Sequence, residues 1–167
     1  GVFAMAAAVY EVLETDPARW QDVEITVLPG ITAMLAAAAR VGAPLGHDFC
    51  VINLSDNLKP WALIEQRLQL ALQADFAIAF YNPRSKSRAE GFEKTLQILK
   101  SYGEEDRPVI FARAVSTSEE RIVIVPLAEA QPDMADMQTV VLVGSSQTRT
   151  LSHQGAVLAY TPRSVKG

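Results

Sequence analysis

A cluster of cations follows an apolar run near the middle of the chain, and it is the feature of the sequence that most directly suggests ligand binding. Arg84, Lys86 and Arg88 lie within a short segment without acidic residues, just after Phe76–Tyr81. Arginine binds carboxylates in bidentate geometry, so this cluster can hold a ligand that carries several of them. Cations in a first helical turn oppose the helix dipole, which weakens the alternative that the cluster is only a solvated helix start. The loop by itself leaves both interpretations open.

Two further loops follow runs of strand character. Pro29-Gly30 turns the chain toward a helix start, where free N–H groups and the Thr32 hydroxyl either meet a polar ligand or simply cap the helix. Arg113 lies in Phe111-Ala112-Arg113-Ala114, among apolar neighbours that suit either a structural ion pair or a ligand contact. Open α/β sheets bind ligands at the carboxyl ends of their strands, so these loops are candidates for a binding site.

His47 and Asp48 are the candidates for acid–base chemistry, because histidine titrates near neutral pH and this pair lies at the end of a linker, residues 42–47. An incidental linker histidine is the alternative. The sequence has no nucleophile-elbow, P-loop or dinucleotide glycine motif. One cysteine and two histidines do not make a soft-metal site, so no metal is expected. Spacing alone therefore predicts an α/β ligand-binding protein with a cleft.

The composition excludes several classes of protein. The 167 residues are 49% hydrophobic and 20% charged, which suits one domain or parts of two and excludes intrinsic disorder. The net charge of −4 argues against a nucleic-acid partner. No apolar stretch approaches the roughly 20 residues that span a bilayer, and no leader sequence is evident, so a cytoplasmic location without membrane association is expected.

The elements that must position these residues follow from hydrophobic periodicity. Helices are predicted at residues 3–15, from Thr32 to about Val41, from Pro60, and from Ser87 to about Tyr102. Strands are predicted at Val23–Leu28, Phe49–Leu54, Phe76–Tyr81, Pro108–Ala112, Ile122–Val125 and Thr139–Val143, with an edge strand at Val157–Tyr160. The connection between the strands at 108–112 and 122–125 is too short for a crossover helix, so these two strands should be antiparallel neighbours.

Several short motifs occur in the order found in the tetrapyrrole methylases. They are Gly-Val-Phe-Ala-Met-Ala, Val-Leu-Pro-Gly-Ile-Thr-Ala, Phe-Tyr-Asn-Pro, Glu-Arg-Ile and Val-Gly-Ser. The stretch from Gly46 to Trp61 and the run Tyr-Asn-Pro-Arg-Ser-Lys-Ser-Arg resemble the branch of that family that acts on cobalamin precursors. Each motif is short, but the ordered set extends over essentially the whole chain.

The resemblance implies an α/β fold of two domains with S-adenosylmethionine (SAM) in the cleft between them, usually in a homodimer. Residues 1–46 would be the remnant of the N-terminal α/β domain, and residues 47–167 the C-terminal domain with a mixed sheet. In the family Gly-Asp-Pro precedes the Gly-Val-Phe motif, so the resemblance implies an N-terminally truncated chain that is inactive alone. The positions that would contact SAM are Val2, Thr32, Ala33, Asn82, Ala114, Gly144 and Ser145.

The implied reaction is methyl transfer from SAM to C17 of precorrin-3B, coupled to ring contraction to precorrin-4. An activated methyl donor needs alignment and exclusion of water more than a protein nucleophile or a metal. Ring contraction moves protons, which suits His47 and Asp48. The carboxylates of the tetrapyrrole substrate would be bound by Lys59, Arg84, Lys86, Arg88 and Arg113. A methylase for another ring position or for cobalt-factor III, or an inactive fragment, are the alternatives.

Overall fold

The computed structural model describes residues 2–84 and 90–164. Lys86 and Arg88 of the cation cluster, and the expected helix-capping residue Ser87, lie outside the described residues. The chain divides into two compact units, Gly1–Thr32 and Ala33–Gly167. The predicted domain boundary after residue 46 concerns the family's two domains and stays a prediction.

The first unit contains two helices, α1 (Val2–Thr15) and α2 (Pro17–Trp20). The helix expected at residues 3–15 is therefore confirmed. The second helix is short and begins where the Asp16 carboxylate accepts a hydrogen bond from the Arg19 N–H at 3.3 Å. The strand expected at Val23–Leu28 is wrong for this structure, since these residues are not in a strand. A β-branched run forms a strand only beside a hydrogen-bonded neighbour, and none of the described strands pairs with it.

The described residues of the second unit contain three α-helices, α3 (Ala33–Val41), α4 (Trp61–Gln73) and α5 (Glu90–Ser101). Its strands are β1 (Gly42–Ala43), β2 (Phe49–Asn53), β3 (Ala77–Tyr81), β4 (Pro108–Arg113), β5 (Arg121–Pro126), β6 (Thr139–Val143), β7 (Arg149–His153) and β8 (Ala156–Tyr160). Within the described ranges, no helix is long and apolar enough to cross a membrane.

Five of these strands form a mixed sheet in the order β2-β3-β6-β4-β5. The strands β2 and β3 are parallel, and β6 is antiparallel to both β3 and β4. Consequently β2, β3 and β4 point in one direction, whereas β5 and β6 point in the other. The expected antiparallel pairing of β4 with β5 is confirmed, as is the mixed sheet.

The central strands of the sheet, β3, β6 and β4, are covered on both faces. On one face, α4 and α5 bury Ile64, Leu68 and Phe92 against inward-facing residues that include Phe80. On the other face, α3 packs its alanine-rich side, with Ala37 fully buried, against the alternate residues of the same strands. Small side chains let α3 approach the sheet closely. Because both faces are covered, β3 is an apolar run without alternation, as its sequence predicted.

A second sheet has the order β1-β8-β7. The strand expected at residues 157–160 is confirmed as β8, but it is the central strand of this sheet, so its expected edge position is wrong. The strand β7 was not predicted, because all five of its residues are exposed and show no buried face. The expected linker at 42–47 contains β1, in which Gly42 has φ 122° and a Cβ would lie 2.6 Å from the Ala159 carbonyl oxygen. Only glycine permits this pairing.

Candidate functional site

The carboxyl ends of three strands lie on the same side of the five-stranded sheet, where the strands end and their loops begin. We call this the carboxyl edge, where β2 ends at Asn53, β3 at Tyr81 and β4 at Arg113. These strands share one direction, so the loops that begin at Asn82 and Ala114 leave from the same edge. The sequence predicted candidate residues in both loops, and the topology brings the two loops to one side of the sheet.

Asn82 is held in a turn by its neighbours. Its φ of 51° lies in the left-handed region, which asparagine tolerates better than most residues. The Asn82 side-chain amide donates to Asn53 Oδ1 at 3.0 Å, and the same oxygen accepts the Ser55 N–H at 2.9 Å. With its nitrogen directed at Asn53, the amide of Asn82 directs its own oxygen away from Asn53.

The start of α3 reaches the same edge. The Met34 N–H donates to the Tyr81 hydroxyl oxygen at 3.0 Å. Met34 is the second residue of α3, so its N–H lacks an intrahelical acceptor. The hydrogen bond therefore brings Ala33, at the first position of α3, into the neighbourhood of Tyr81 and the loop that follows it.

Arg113 takes part in a network of ion pairs and hydrogen bonds. Its Nε donates to Asp136 Oδ2 at 2.7 Å, and its Nη1 lies 3.6 Å from Glu119 Oε2. The hydrogen bond to Asp136 is the largest cause that raises the pKa of Arg113. This arrangement favours the structural ion-pair interpretation over a free ligand-binding cation. Asp136 also accepts from the Thr139 hydroxyl at 2.7 Å, which anchors the network to the first residue of β6.

Ala114 and the residues after it form a tight connection between β4 and β5. Ala114 has φ 47°, and its N–H donates to the Gln138 carbonyl at 3.0 Å. Glu120 Oε2 accepts from the Ser116 N–H at 2.6 Å and from Arg40 Nε at 3.1 Å. The bond from the Ser116 N–H is the largest cause that lowers the pKa of Glu120.

The sequence reasoning did not single out Glu120 or Asp136 as site residues. Glu120 begins the Glu-Arg-Ile motif, which was a usable signal, whereas Asp136 lies in a short irregular segment without a motif.

Two other cations lie close to the carboxyl edge. Lys59, in the segment after β2, donates to the Ser55 carbonyl at 3.2 Å, and partial burial, assisted by the charge of Arg67, lowers its pKa. Arg84 is partly exposed and lies two residues after Asn82. Val2 and Thr32 belong to the first compact unit.

The remaining candidates lie at the opposite edge, by which we mean the side of the sheet where β2 and β3 begin. Because β6 runs against β3, its last residue Val143 pairs with Ile78 near the beginning of β3, and Gly144 and Ser145 follow there. His47 and Asp48 precede β2 and so lie at this edge too. A cavity of about 280 Å³ is bordered by His47, Asp48 and Ser145. The imidazole Nδ1 of His47 lies 3.7 Å from Asp48 Oδ2.

A chain of buried hydroxyls accounts for Gly144 and Ser145 structurally. The Ser145 N–H donates to Thr148 Oγ1 at 2.8 Å, which lies 2.8 Å from Thr161 Oγ1. Thr161 in turn donates to the Pro44 carbonyl at 2.5 Å. A Cβ on Gly144 would lie 2.5 Å from Thr148 Cβ, so the network requires glycine there.

Metal ligands are not grouped in the part of the chain that the structure describes: no three His, Cys, Asp or Glu side chains there could share an ion. The polar groups at the carboxyl edge are instead amides, a phenol, backbone N–H groups and paired charges. They suit the binding of an organic ligand.

Comparison with known proteins relates this geometry to a family. Residues 2–131 match the family model described as Tetrapyrrole (Corrin/Porphyrin) Methylases. The chain is 53% identical to a precorrin-3B C(17)-methyltransferase from Sinorhizobium sp, over all of this chain and 66% of that protein. It is 42% identical to a cobalt-factor III methyltransferase from Priestia megaterium, over 89% of this chain and 28% of that protein.

Among solved structures, the crystal structure of the methyltransferase CobJ superposes with a TM-score of 0.90 and 57% identity. The match covers 97% of this chain and 66% of that structure. The chain therefore has the fold of that structure. It spans 66% of the length of the Sinorhizobium relative and 66% of the CobJ structure.

Proposed function

Because this chain belongs to the tetrapyrrole (corrin/porphyrin) methylase family, we propose that it forms part of a SAM-dependent methyltransferase of cobalamin biosynthesis. The proposed reaction is methylation of C17 of precorrin-3B with ring contraction to precorrin-4. The identity to the Sinorhizobium enzyme, and its extent over the whole chain, favour this substrate.

The observation that carries the proposal is the convergence of Ala33, Asn82 and Ala114 at the carboxyl edge. These are three of the positions that the family resemblance assigns to the methyl donor, and they come from segments far apart in the sequence. Ligands of open α/β sheets bind at this type of edge. Val2 and Thr32 are assigned to the donor by the resemblance alone.

The residues present fit the donor chemically. Alanine at 33 and 114 leaves space for a bulky ligand next to the backbone, and the oriented amide of Asn82 offers a hydrogen-bond acceptor. Bound SAM supplies a methyl group activated by a sulfonium centre. The chain's own contribution is to hold the reacting partners in line and to exclude water. The proposal leaves out Gly144 and Ser145, whose position is explained by the hydroxyl network at the other edge.

The cations near the carboxyl edge suit the carboxylates of a tetrapyrrole. We assign this role to Lys59 and Arg84, and, from the sequence alone, to Lys86 and Arg88. Arg113 contributes indirectly, since it is paired with Asp136. His47 and Asp48 remain the proposed acid–base groups for ring contraction. They lie just before β2, whereas Asn82 lies near the end of β2, so the acid–base role is separate from donor binding.

The test is calorimetric titration with S-adenosylhomocysteine (SAH), the product form of the donor. It uses the 167-residue chain, alone and fused to the part of the Sinorhizobium relative that the match does not cover. Micromolar binding by either form, weakened in Asn82→Ala and unchanged in the exposed Asn57→Ala, supports the proposal. Absence of binding by both forms overturns it.

The alternatives are separated by the same materials. Binding by the fusion but not by the chain alone supports the expectation that this chain is inactive by itself. Incubation of the binding form with precorrin-3B and with cobalt-factor III, followed by mass and NMR analysis of products, decides the substrate. The Priestia relative makes cobalt-factor III the second candidate. The expected homodimer and cytoplasmic location are part of the proposal, and sedimentation and cell fractionation test them.

A further inference from the structure

Tyr81 connects three segments at the carboxyl edge. Its hydroxyl accepts the Met34 N–H at 3.0 Å, and its backbone carbonyl accepts the Leu54 N–H at 2.9 Å. The next residue is Asn82, whose amide is bound to Asn53. The starting turn of α3, the end of β2 and the end of β3 therefore meet at one residue.

The Tyr81 hydroxyl is a long-range hydrogen-bond partner for the first turn of α3. The N–H groups of a first helical turn have no intrahelical acceptor, and a side chain just before the helix usually satisfies one of them. Here the acceptor for Met34 lies 47 positions away in the sequence. A local cap would fix only the helix end, whereas this bond also fixes the helix relative to the sheet.

The aromatic ring and the hydroxyl of Tyr81 have separable roles. The ring is partly buried and packs on the apolar cluster below α3, together with Met34. The hydroxyl adds the bond to the backbone. Removing the oxygen alone leaves the packing in place and removes this one bond between the start of α3 and the sheet.

From these contacts we infer that Tyr81 is a positioning residue for the methyl-donor site. Its hydroxyl holds Ala33 in register with Asn82, and both are proposed donor contacts, so this inference rests on the proposed function. Tyr81 acts through Met34 and Asn82 and needs no contact with the donor itself. Loss of the hydroxyl should let the two segments move independently and weaken donor binding.

The experiment compares Tyr81→Phe with Tyr102→Phe. Tyr102 is the matched control because its hydroxyl also forms a hydrogen bond with the backbone, which it donates to the Gln69 carbonyl at 3.4 Å, away from the carboxyl edge. In whichever form binds SAH, Tyr81→Phe should weaken SAH affinity between about twofold and about tenfold, the range expected for one hydrogen bond. In turnover assays the KM for SAM should rise more than kcat falls, with little change in melting temperature.

A second measurement is independent of the ligand. Hydrogen exchange of the Met34 amide in the 167-residue chain should accelerate in Tyr81→Phe and not in Tyr102→Phe. Faster exchange together with weaker SAH binding supports the inference. Unchanged exchange, or faster exchange with unchanged SAH affinity, overturns it. Failure of the unsubstituted protein to bind SAH in either form would instead overturn the proposed function.

Discussion

The side-chain amide of Asn82 donates a 3.0 Å hydrogen bond to Asn53 Oδ1, across the ends of two parallel strands. Asn53 is the register partner of Tyr81, so its side chain stands next to the turn in which Asn82 adopts a left-handed conformation. One oxygen thereby sets both the rotamer of Asn82 and the backbone that follows β2. Asn53 lies in the stretch from Gly46 to Trp61 that carries the family resemblance, but the sequence assigns it no role in the site.

Replacing Asn53 by alanine should therefore weaken donor binding without contact to the donor. The Asn82 amide loses its partner and becomes free to rotate, at a cost of about 1 kcal/mol or roughly fivefold in SAH affinity. Calorimetric titration with SAH measures this loss of affinity. Asn57→Ala, an exposed asparagine in the same segment, serves as the control. Equal affinities for the two variants would show that Asn53 does not orient Asn82.

His47→Ala should leave SAH affinity within about twofold of that of the unsubstituted protein. The reason is its position at the edge opposite Asn82, beside the cavity that Ser145 lines. Product analysis with precorrin-3B then tests the acid–base role, which requires slower ring contraction in His47→Ala than in the exposed His153→Ala. If methylation and contraction both proceed normally, His47 has no part in the chemistry.

Protonation of Asp136 in acid should lower the free energy of unfolding. Burial opposes its ionisation, but the hydrogen bonds from Arg113, Thr139 and Gln138 outweigh burial and hold the pKa of this carboxyl below its ordinary value. Its stabilising contribution is thus complete above the unfolded-state pKa, about 3.9, and is lost as the pH falls through the folded-state pKa. Since the side chain is 47% exposed, solvent screening limits the contribution to less than about 1 kcal/mol.

The measurement is the free energy of unfolding by urea at several values of pH between 6 and about 2.5. We expect the acid-induced loss to be smaller in Asp136→Asn than in the unsubstituted chain. Asp133→Asn, three residues earlier and exposed, should leave the loss unchanged. A pH profile shared by all three proteins would contradict the role of the Asp136 network.

Gly144→Ala should destabilise the fold by about 1–3 kcal/mol, because the added methyl would lie within 2.5–2.8 Å of Thr148 atoms. Thr148 is buried and bonded to Thr161, so it has little freedom to move aside. The melting temperature should drop by roughly 2–4 °C for each kcal/mol. Gly30→Ala, where a Cβ meets nothing within 4 Å, is the control. A neutral Gly144→Ala would mean that the hydroxyl network adapts.

Much of the architecture follows from local pattern. The apolar runs at 77–81 and 139–143 predict their strands within about a residue, since buried strands need continuous apolar sequence. The run at 49–53 also predicts its strand, although most residues of β2 are exposed. The run at Val23–Leu28 has the same character and forms no strand, because pairing depends on a neighbour that local composition does not encode. For the exposed strand β7 the error is the opposite one: the strand forms, but its sequence does not predict it, since it has no buried face.

The sequence by itself determined the family, through the order of its motifs. It also determined the loops in which polar groups interrupt apolar runs. Only the tertiary structure decided which of these loops meet. Asn82 and Gly144 both follow buried strands, yet they lie at opposite edges because β6 runs against β3. Strand direction is set by long-range pairing and by the path of the connections, so no local pattern in either loop contains it.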